Sequence, residues 1–132
     1  MISRSRREAL QRALLVVNAI GTAAAAFVLA VWPSAIPRVI GITLLTNQFV
    51  LAYFLSASEA AICVMCVQAL RSAPEMRVIP LQTLVVFHLA TAVLSAIAVM
   101  GGSSPLILWN LALRVVLALL ILISLSSRFL PD

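Results

Sequence analysis

The chain has 132 residues, of which 64% are apolar and only 10% are charged, and its mean hydropathy is +1.17. A soluble domain is about half apolar and about a quarter charged, so this composition excludes an ordinary water-soluble protein. The net charge of +5 does not indicate a nucleic-acid-binding protein, because the arginines cluster at the ends of apolar segments, where membrane topology explains them. The length suits one domain over residues 1–132, with four membrane spans of about 20 residues and no separate extramembrane domain.

The first predicted span covers residues 12–31. The basic segment before it contains Arg4, Arg6 and Arg7, whose charges favour the cytoplasmic side and contact with anionic lipid headgroups. The apolar stretch is similar to that of a secretory signal peptide. It continues, however, to Trp32 and is therefore long enough to cross the bilayer. We expect an uncleaved transmembrane helix.

The second span is predicted over residues 45–70. Pro33 and Pro37 end the first helix, because proline lacks the backbone donor and disfavours helix in the residue before it. Residues 39–48 fit either a segment at the membrane surface or the start of the second span. A polar turn with Arg71 and Arg77 leads to a third span over 80–100, and an uncharged turn leads to a fourth over 106–127.

The distribution of arginines indicates the orientation. Seven lie near the N-terminus, in the turn between the second and third spans, or near the C-terminus, whereas only Arg38 lies in the other two turns. Basic residues accumulate on the cytoplasmic side, so both termini are expected there. Short connections make consecutive helices antiparallel. We predict an all-α fold, an antiparallel bundle of four transmembrane helices, in a bacterial-type inner membrane.

Three ionisable residues lie deep in the predicted spans. At 1.5 Å per residue, Glu59, His88 and Arg114 are roughly 12 to 20 Å from the cytoplasmic helix ends. An isolated charge there costs about 2.5 to 3.5 kcal/mol on insertion scales, so we predict that Glu59 pairs with Arg114. His88, Asn18 and Asn110 are expected to add hydrogen bonds. This polar network fits a translocation or ligand site, an ion pair that fixes helix register, or a contact with a partner subunit.

Cys63 and Cys66 form a C-x-x-C motif in the second span. The motif resembles the cysteine pair of the four-helix membrane proteins that form disulfides in the bacterial periplasm, and of their quinone-reducing relatives. That resemblance implies thiol chemistry with a quinone as electron partner. The chain departs from the pattern because it has no second cysteine pair and because the predicted orientation puts the motif in the cytoplasmic half. Two buried cysteines that pack as small apolar side chains fit the sequence as well.

The sequence contains no phosphate-binding glycine loop, nucleophile elbow or pair of catalytic carboxylates. One histidine and two cysteines fall short of the four ligands of a closed zinc site, so we expect no metal and no other cofactor.

Three functions remain. We favour a non-catalytic accessory or assembly subunit of a larger membrane complex. The second is a small oligomeric transporter or channel that uses the Glu59, His88 and Arg114 network to handle protons or a cation. The third is a thiol oxidoreductase at Cys63 and Cys66. The expected partners are the lipid bilayer and other membrane subunits or further copies of the chain, without nucleic acid.

Overall fold

In a computed structural model, residues 4–126 of the chain are described. All regular secondary structure among them is helical. The helices are α1 (Arg4–Val31), α2 (Ala35–Val39), α3 (Phe49–Arg71), α4 (Val78–Met100) and α5 (Ile107–Ser126), with 3₁₀ turns at Thr46–Gln48 and Pro74–Arg77. The four long helices, α1, α3, α4 and α5, are long and apolar enough to cross a membrane. The predicted all-α fold, a four-helix membrane bundle, is confirmed.

The helix ends refine the predicted spans. α1 begins at Arg4, so the basic segment is itself helical. Residues 40–45 form a non-helical connection, and a 3₁₀ turn follows before α3 begins at Phe49. The connection turns at Gly41, whose φ of +79° lies in the left-handed region that favours glycine. The predicted end of the last span at residue 127, and Arg128, lie outside the described residues.

The long helices follow one another around the bundle. α1 packs mainly against α3 and α4 mainly against α5, and these two pairs meet along α1–α5 and α3–α4. Therefore α1 and α4 lie on one diagonal, and α3 and α5 on the other. Arg4 approaches Glu75 to 3.9 Å, and Gln11 Nε2 donates to the Ser124 carbonyl at 3.1 Å. These contacts bring the start of α1, the α3–α4 turn and the end of α5 together at one end, which we call the basic end.

The main cluster of buried apolar side chains lies in the half of the bundle next to the basic end, which we call the packed half. Its buried apolar side chains form one cluster to which all four long helices contribute. The cluster consists of Leu14, Leu15, Ala19, Cys66, Ala69, Leu81, Leu84, Val85, Ile121 and Leu125. In the other half, which we call the open half, the same helices line a cavity.

Arg77 belongs to the polar turn predicted between the second and third spans, but it is not exposed. Its side chain is buried and donates from Nε to the Ala69 carbonyl at 3.2 Å and from Nη2 to the Ser72 carbonyl at 3.1 Å. Carbonyls at the end of a helix lack partners within the helix. Arg77 therefore closes the end of α3 at the base of the packed half.

Candidate functional site

The predicted polar residues meet near the centre of the bundle. Asn18 of α1, Glu59 of α3 and His88 of α4 are buried, and Arg114 of α5 is half-buried. Because α1 and α4, and likewise α3 and α5, face each other diagonally, the Asn18–His88 and Glu59–Arg114 contacts cross the bundle along its two diagonals. The structure therefore brings these residues together, with Asn110, in one network that joins all four long helices.

Arg114 makes most of the contacts in this network. Its Nη1 lies 3.2 Å from His88 Nδ1, and its Nε donates to Asn110 Oδ1 at 3.4 Å. Its Nη2 lies 3.9 Å from Glu59 Oε1. The guanidinium carbon is 4.9 Å from the centre of the Phe87 ring, within the range of a cation–π interaction. The guanidinium thus has two neutral acceptors, one aromatic face and one carboxylate around it.

These contacts assign the tautomer of His88. A guanidinium has only donors, so His88 Nδ1 accepts from Arg114 and the ring proton is on Nε2. Nε2 then donates to Asn18 Oδ1 at 2.9 Å. Asn18 Nδ2 donates in turn to the Leu14 carbonyl at 2.8 Å, which fixes the orientation of its amide. A neutral His88 therefore positions the guanidinium without adding a charge.

Glu59 has few polar contacts for a carboxylate inside a membrane. Its side chain is only 7% exposed, and among residues 4–126 its one charged or hydrogen-bonding partner is Arg114 at 3.9 Å. A charge-assisted N–H···O hydrogen bond is about 2.7 to 2.9 Å long, so this ion pair is loose. An ionised carboxylate offers about four acceptor positions. Glu59 therefore retains unused capacity to accept hydrogen bonds.

A partly open cavity of about 530 Å³ lies on the side of the network away from the packed half. Its floor contains Glu59, Arg114 and Asn110, and its walls are mostly apolar. Ile36 and Ile40, in and after α2, line it at the end opposite the floor. An apolar recess of about 220 Å³ shares part of this lining. The main cavity has the size of a small-molecule site, which is about 300 to 1,000 Å³.

The C-x-x-C motif does not belong to this site. Cys63 and Cys66 are free thiols. Cys66 is buried in the cluster of the packed half, Cys63 packs against that cluster, and neither lines the cavity. Among residues 4–126, no group of three or more His, Cys, Asp or Glu side chains could hold a metal ion.

The arginines predicted to contact lipid headgroups lie in the first turns of α1, at the basic end. Arg4 and Arg6 are exposed, and Arg7 is half-buried. Arg4 donates to Glu8 Oε1 at 3.1 Å and also lies near Glu75. Two carboxylates therefore share the charge of Arg4 and compete with a lipid phosphate for it.

Two parts of the site were not identified from the sequence. Phe87 faces the Arg114 guanidinium, but nothing in the sequence distinguishes such an aromatic residue from one that faces lipid. The segment 36–42 lines the cavity with three isoleucines, Ile36, Ile40 and Ile42. The four-residue spacing of the first two was a signal that this segment covers an apolar surface.

No protein-family model, curated protein or solved structure matches this chain. The function of the site is therefore inferred from its own residues.

Proposed function

We propose that this chain is a small membrane transporter whose substrate site is the cavity above the Glu59–Arg114 pair. The observation that carries the proposal is that this cavity ends on an intramembrane ion pair, beyond which the packed half closes the bundle. A central site that packed helices close toward one membrane face, with only the segment 36–42 at its other end, fits one state of an alternating-access cycle. An ion pair that only fixed helix register would need no cavity beside it.

The loose geometry of the pair supports the same proposal. An ion pair that served only to hold α3 against α5 would gain most from direct hydrogen bonds between its two groups. Glu59 and Arg114 instead remain 3.9 Å apart and both line the cavity. They are therefore available to a bound molecule.

We place the transporter in a bacterial-type inner membrane with the basic end in the cytoplasm. Six arginines of the described chain lie at that end, whereas Arg38 lies at the other. Basic residues favour the cytoplasmic side. In this orientation the open half faces the cell exterior.

Distances between spin labels test whether the open and packed halves exchange. The labels are attached to introduced cysteines in a background that lacks both native cysteines. One pair, Val50→Cys and Leu108→Cys, spans the open half between α3 and α5. The other pair, Gln68→Cys and Ile123→Cys, spans the packed half between the same helices. All four positions are exposed. A transporter is expected to give two distances for each pair, with one pair moving apart as the other approaches. A single, invariant distance for both pairs contradicts the proposal.

The accessory-subunit prediction is the second candidate, because α3 carries small side chains on its outer surface. Ala57, Ala60 and Ala61 are exposed, and small residues allow a partner helix to approach closely in lipid. Purification of the tagged protein in mild detergent, followed by mass spectrometry, tests this candidate. A stoichiometric partner supports it, and a homo-oligomer without other proteins counts against it.

The oxidoreductase prediction gains no support, because Cys63 and Cys66 lie outside the cavity.

A further inference from the structure

We infer that the substrate is a small zwitterion with an apolar side chain, of the class of the apolar α-amino acids. This inference rests on the proposed transport function and specifies its substrate. It is carried by one juxtaposition, a carboxylate and a guanidinium 3.9 Å apart on the floor of a cavity with mostly apolar walls.

The floor of the cavity has no net charge. Glu59 contributes one negative charge and Arg114 one positive charge, and the contact between His88 Nδ1 and the guanidinium requires a neutral imidazole. A bound cation or anion would add an uncompensated charge inside the membrane, where charges are costly. A zwitterion brings one charge of each sign, so the occupied site remains neutral.

Each charge of a zwitterion has an unused partner on the floor. The Glu59 carboxylate accepts no hydrogen bond from residues 4–126, so it is available to an ammonium group. Within the same residues, Arg114 Nη2 donates no hydrogen bond, so its N–H groups are available to a substrate carboxylate. The four charges would then alternate in sign around a small rectangle. Each would lie beside two charges of the opposite sign.

The residues that line the cavity walls indicate the chemistry of the substrate side chain. Leu55, Leu94 and Ala98 line the cavity above the floor, and Phe87 lies against the Arg114 guanidinium. Among the described residues that line it, only the two floor residues Glu59 and Arg114 are charged. A charged substrate side chain would therefore lie against mostly apolar walls without a charged partner, which is unfavourable. An apolar side chain fits these walls.

A zwitterion also requires a transporter. Both of its charges would have to leave water to enter the hydrocarbon core, so it crosses lipid poorly without a protein. A purely apolar molecule of the same size would need no carrier.

A matched series of probes tests the inference directly. L-Phenylalanine carries both charges, phenethylamine lacks the carboxylate, and 3-phenylpropanoate lacks the amine. Binding is measured with tritiated L-phenylalanine on the full-length protein in lipid nanodiscs at pH 7, with the other two compounds as competitors. We expect L-phenylalanine to bind at least about tenfold more tightly than either competitor. Glycine, which keeps both charges but has no side chain, is expected to compete weakly.

Two variants should reverse the preference. Glu59→Gln leaves a net positive floor, so its strongest ligand is expected to be 3-phenylpropanoate. Arg114→Gln leaves a net negative floor, so its strongest ligand is expected to be phenethylammonium. Each reversal is read from the relative affinities of one variant. A moderate loss of stability therefore does not obscure it.

A third variant locates the bound probe. Ala25 lines the cavity, and Ala25→Phe is expected to abolish binding by filling it. If the wild-type protein prefers either singly charged probe and Ala25→Phe abolishes that binding, the zwitterion inference is wrong but the cavity remains a binding site. If Ala25→Phe does not weaken phenylalanine binding, or if none of the three probes binds, the inference is overturned. The spin-label distances need no substrate, so they decide separately whether the transport proposal also fails.

Discussion

The Nδ1 atom of His88 lies 3.2 Å from Nη1 of Arg114, and this contact sets the proton arrangement of the whole network. Because the guanidinium can only donate, the imidazole accepts at Nδ1 and donates a hydrogen bond from its Nε2–H to Asn18 Oδ1. His88 therefore acts as a neutral spacer between α1 and α5. It orients the guanidinium toward the cavity without changing the charge of the floor.

The first prediction concerns this tautomer. The chain contains one histidine, so nitrogen-15 NMR of histidine-labelled protein reports on His88 alone. We expect the spectrum of the neutral imidazole that is protonated at Nε2. Arg114→Leu removes the donor and should shift the Nδ1 resonance, whereas Val116→Ala, at an exposed position of the same helix, should leave it unchanged. A spectrum of the Nδ1-protonated form would show that the assigned hydrogen bonds are wrong.

The second prediction concerns the ion pair. Glu59→Gln and Arg114→Gln each leave one charge unpaired inside the bundle, so each is expected to lower the free energy of unfolding by about 1 to 3 kcal/mol. The double variant should regain most of that stability, because it leaves no charge. It should not regain phenylalanine binding, because both binding partners are gone. The measurements are unfolding in mixed micelles and binding in nanodiscs.

A second ion pair provides the control for this comparison of single and double variants. Arg4 and Glu75 are also 3.9 Å apart, but they are exposed at the basic end. Exposed pairs contribute little to stability, so Arg4→Gln and Glu75→Gln should show almost no coupling. If the double variant of Glu59 and Arg114 bound phenylalanine as well as the wild type, the intramembrane pair would have only a structural role.

The third prediction concerns the packed half. Leu84 is fully buried in its cluster, whereas Leu89, on the same helix, is 45% exposed. Lipid is as apolar as leucine, so Leu84→Ala loses mainly packing contacts and should cost about 1 to 3 kcal/mol of unfolding free energy. Leu89→Ala should change stability by less than about 0.5 kcal/mol. Equal effects of the two substitutions would contradict the packing of Leu84 in the interior of the bundle.

The fourth prediction concerns the segment 36–42 over the cavity. Gly41 and Gly102 both have positive φ, at +79° and +91°, so alanine should cost each about 1 kcal/mol in backbone energy. A Cβ at Gly41 would lie 3.2 Å from Ser104 Cβ, whereas at Gly102 nothing lies within 4 Å. Gly41→Ala should therefore also displace the segment and weaken phenylalanine binding, and Gly102→Ala should not. Equal binding by both variants would show that the position of this segment does not affect the cavity.

The location of the polar network could be predicted from the sequence because lipid offers no hydrogen-bond partners. Polar side chains in a span must turn toward other helices, and the 1.5 Å rise per residue places Glu59, His88 and Arg114 at similar depths. The same rule applies to Asn18, which is buried.

The other features of the fold and the site depend on distances between helices, which helical periodicity does not predict. The two halves differ because α1, α3, α4 and α5 pack around one apolar cluster near the basic end and leave a cavity between them in the open half. The burial of Arg77 was missed because a charge in a turn is usually solvated, whereas here the turn folds back onto the carbonyls that end α3. The role of Ile36 and Ile40 was missed because no membrane span contains them.

The most direct test of the central claim, that the cavity alternates between the two membrane faces, is cysteine labelling at Thr91. This residue lines the cavity, and its hydroxyl donates to the Phe87 carbonyl of its own helix. Thr91→Cys, in a background without the native cysteines, is treated with a membrane-impermeant maleimide in right-side-out and in inside-out vesicles. Arg38→Cys and Arg71→Cys, at opposite ends of the bundle, identify the two faces. We predict that Thr91→Cys is labelled from both faces, and more rapidly from the side of Arg38. Labelling from the side of Arg38 alone would show that the cavity is a closed pocket and would contradict transport.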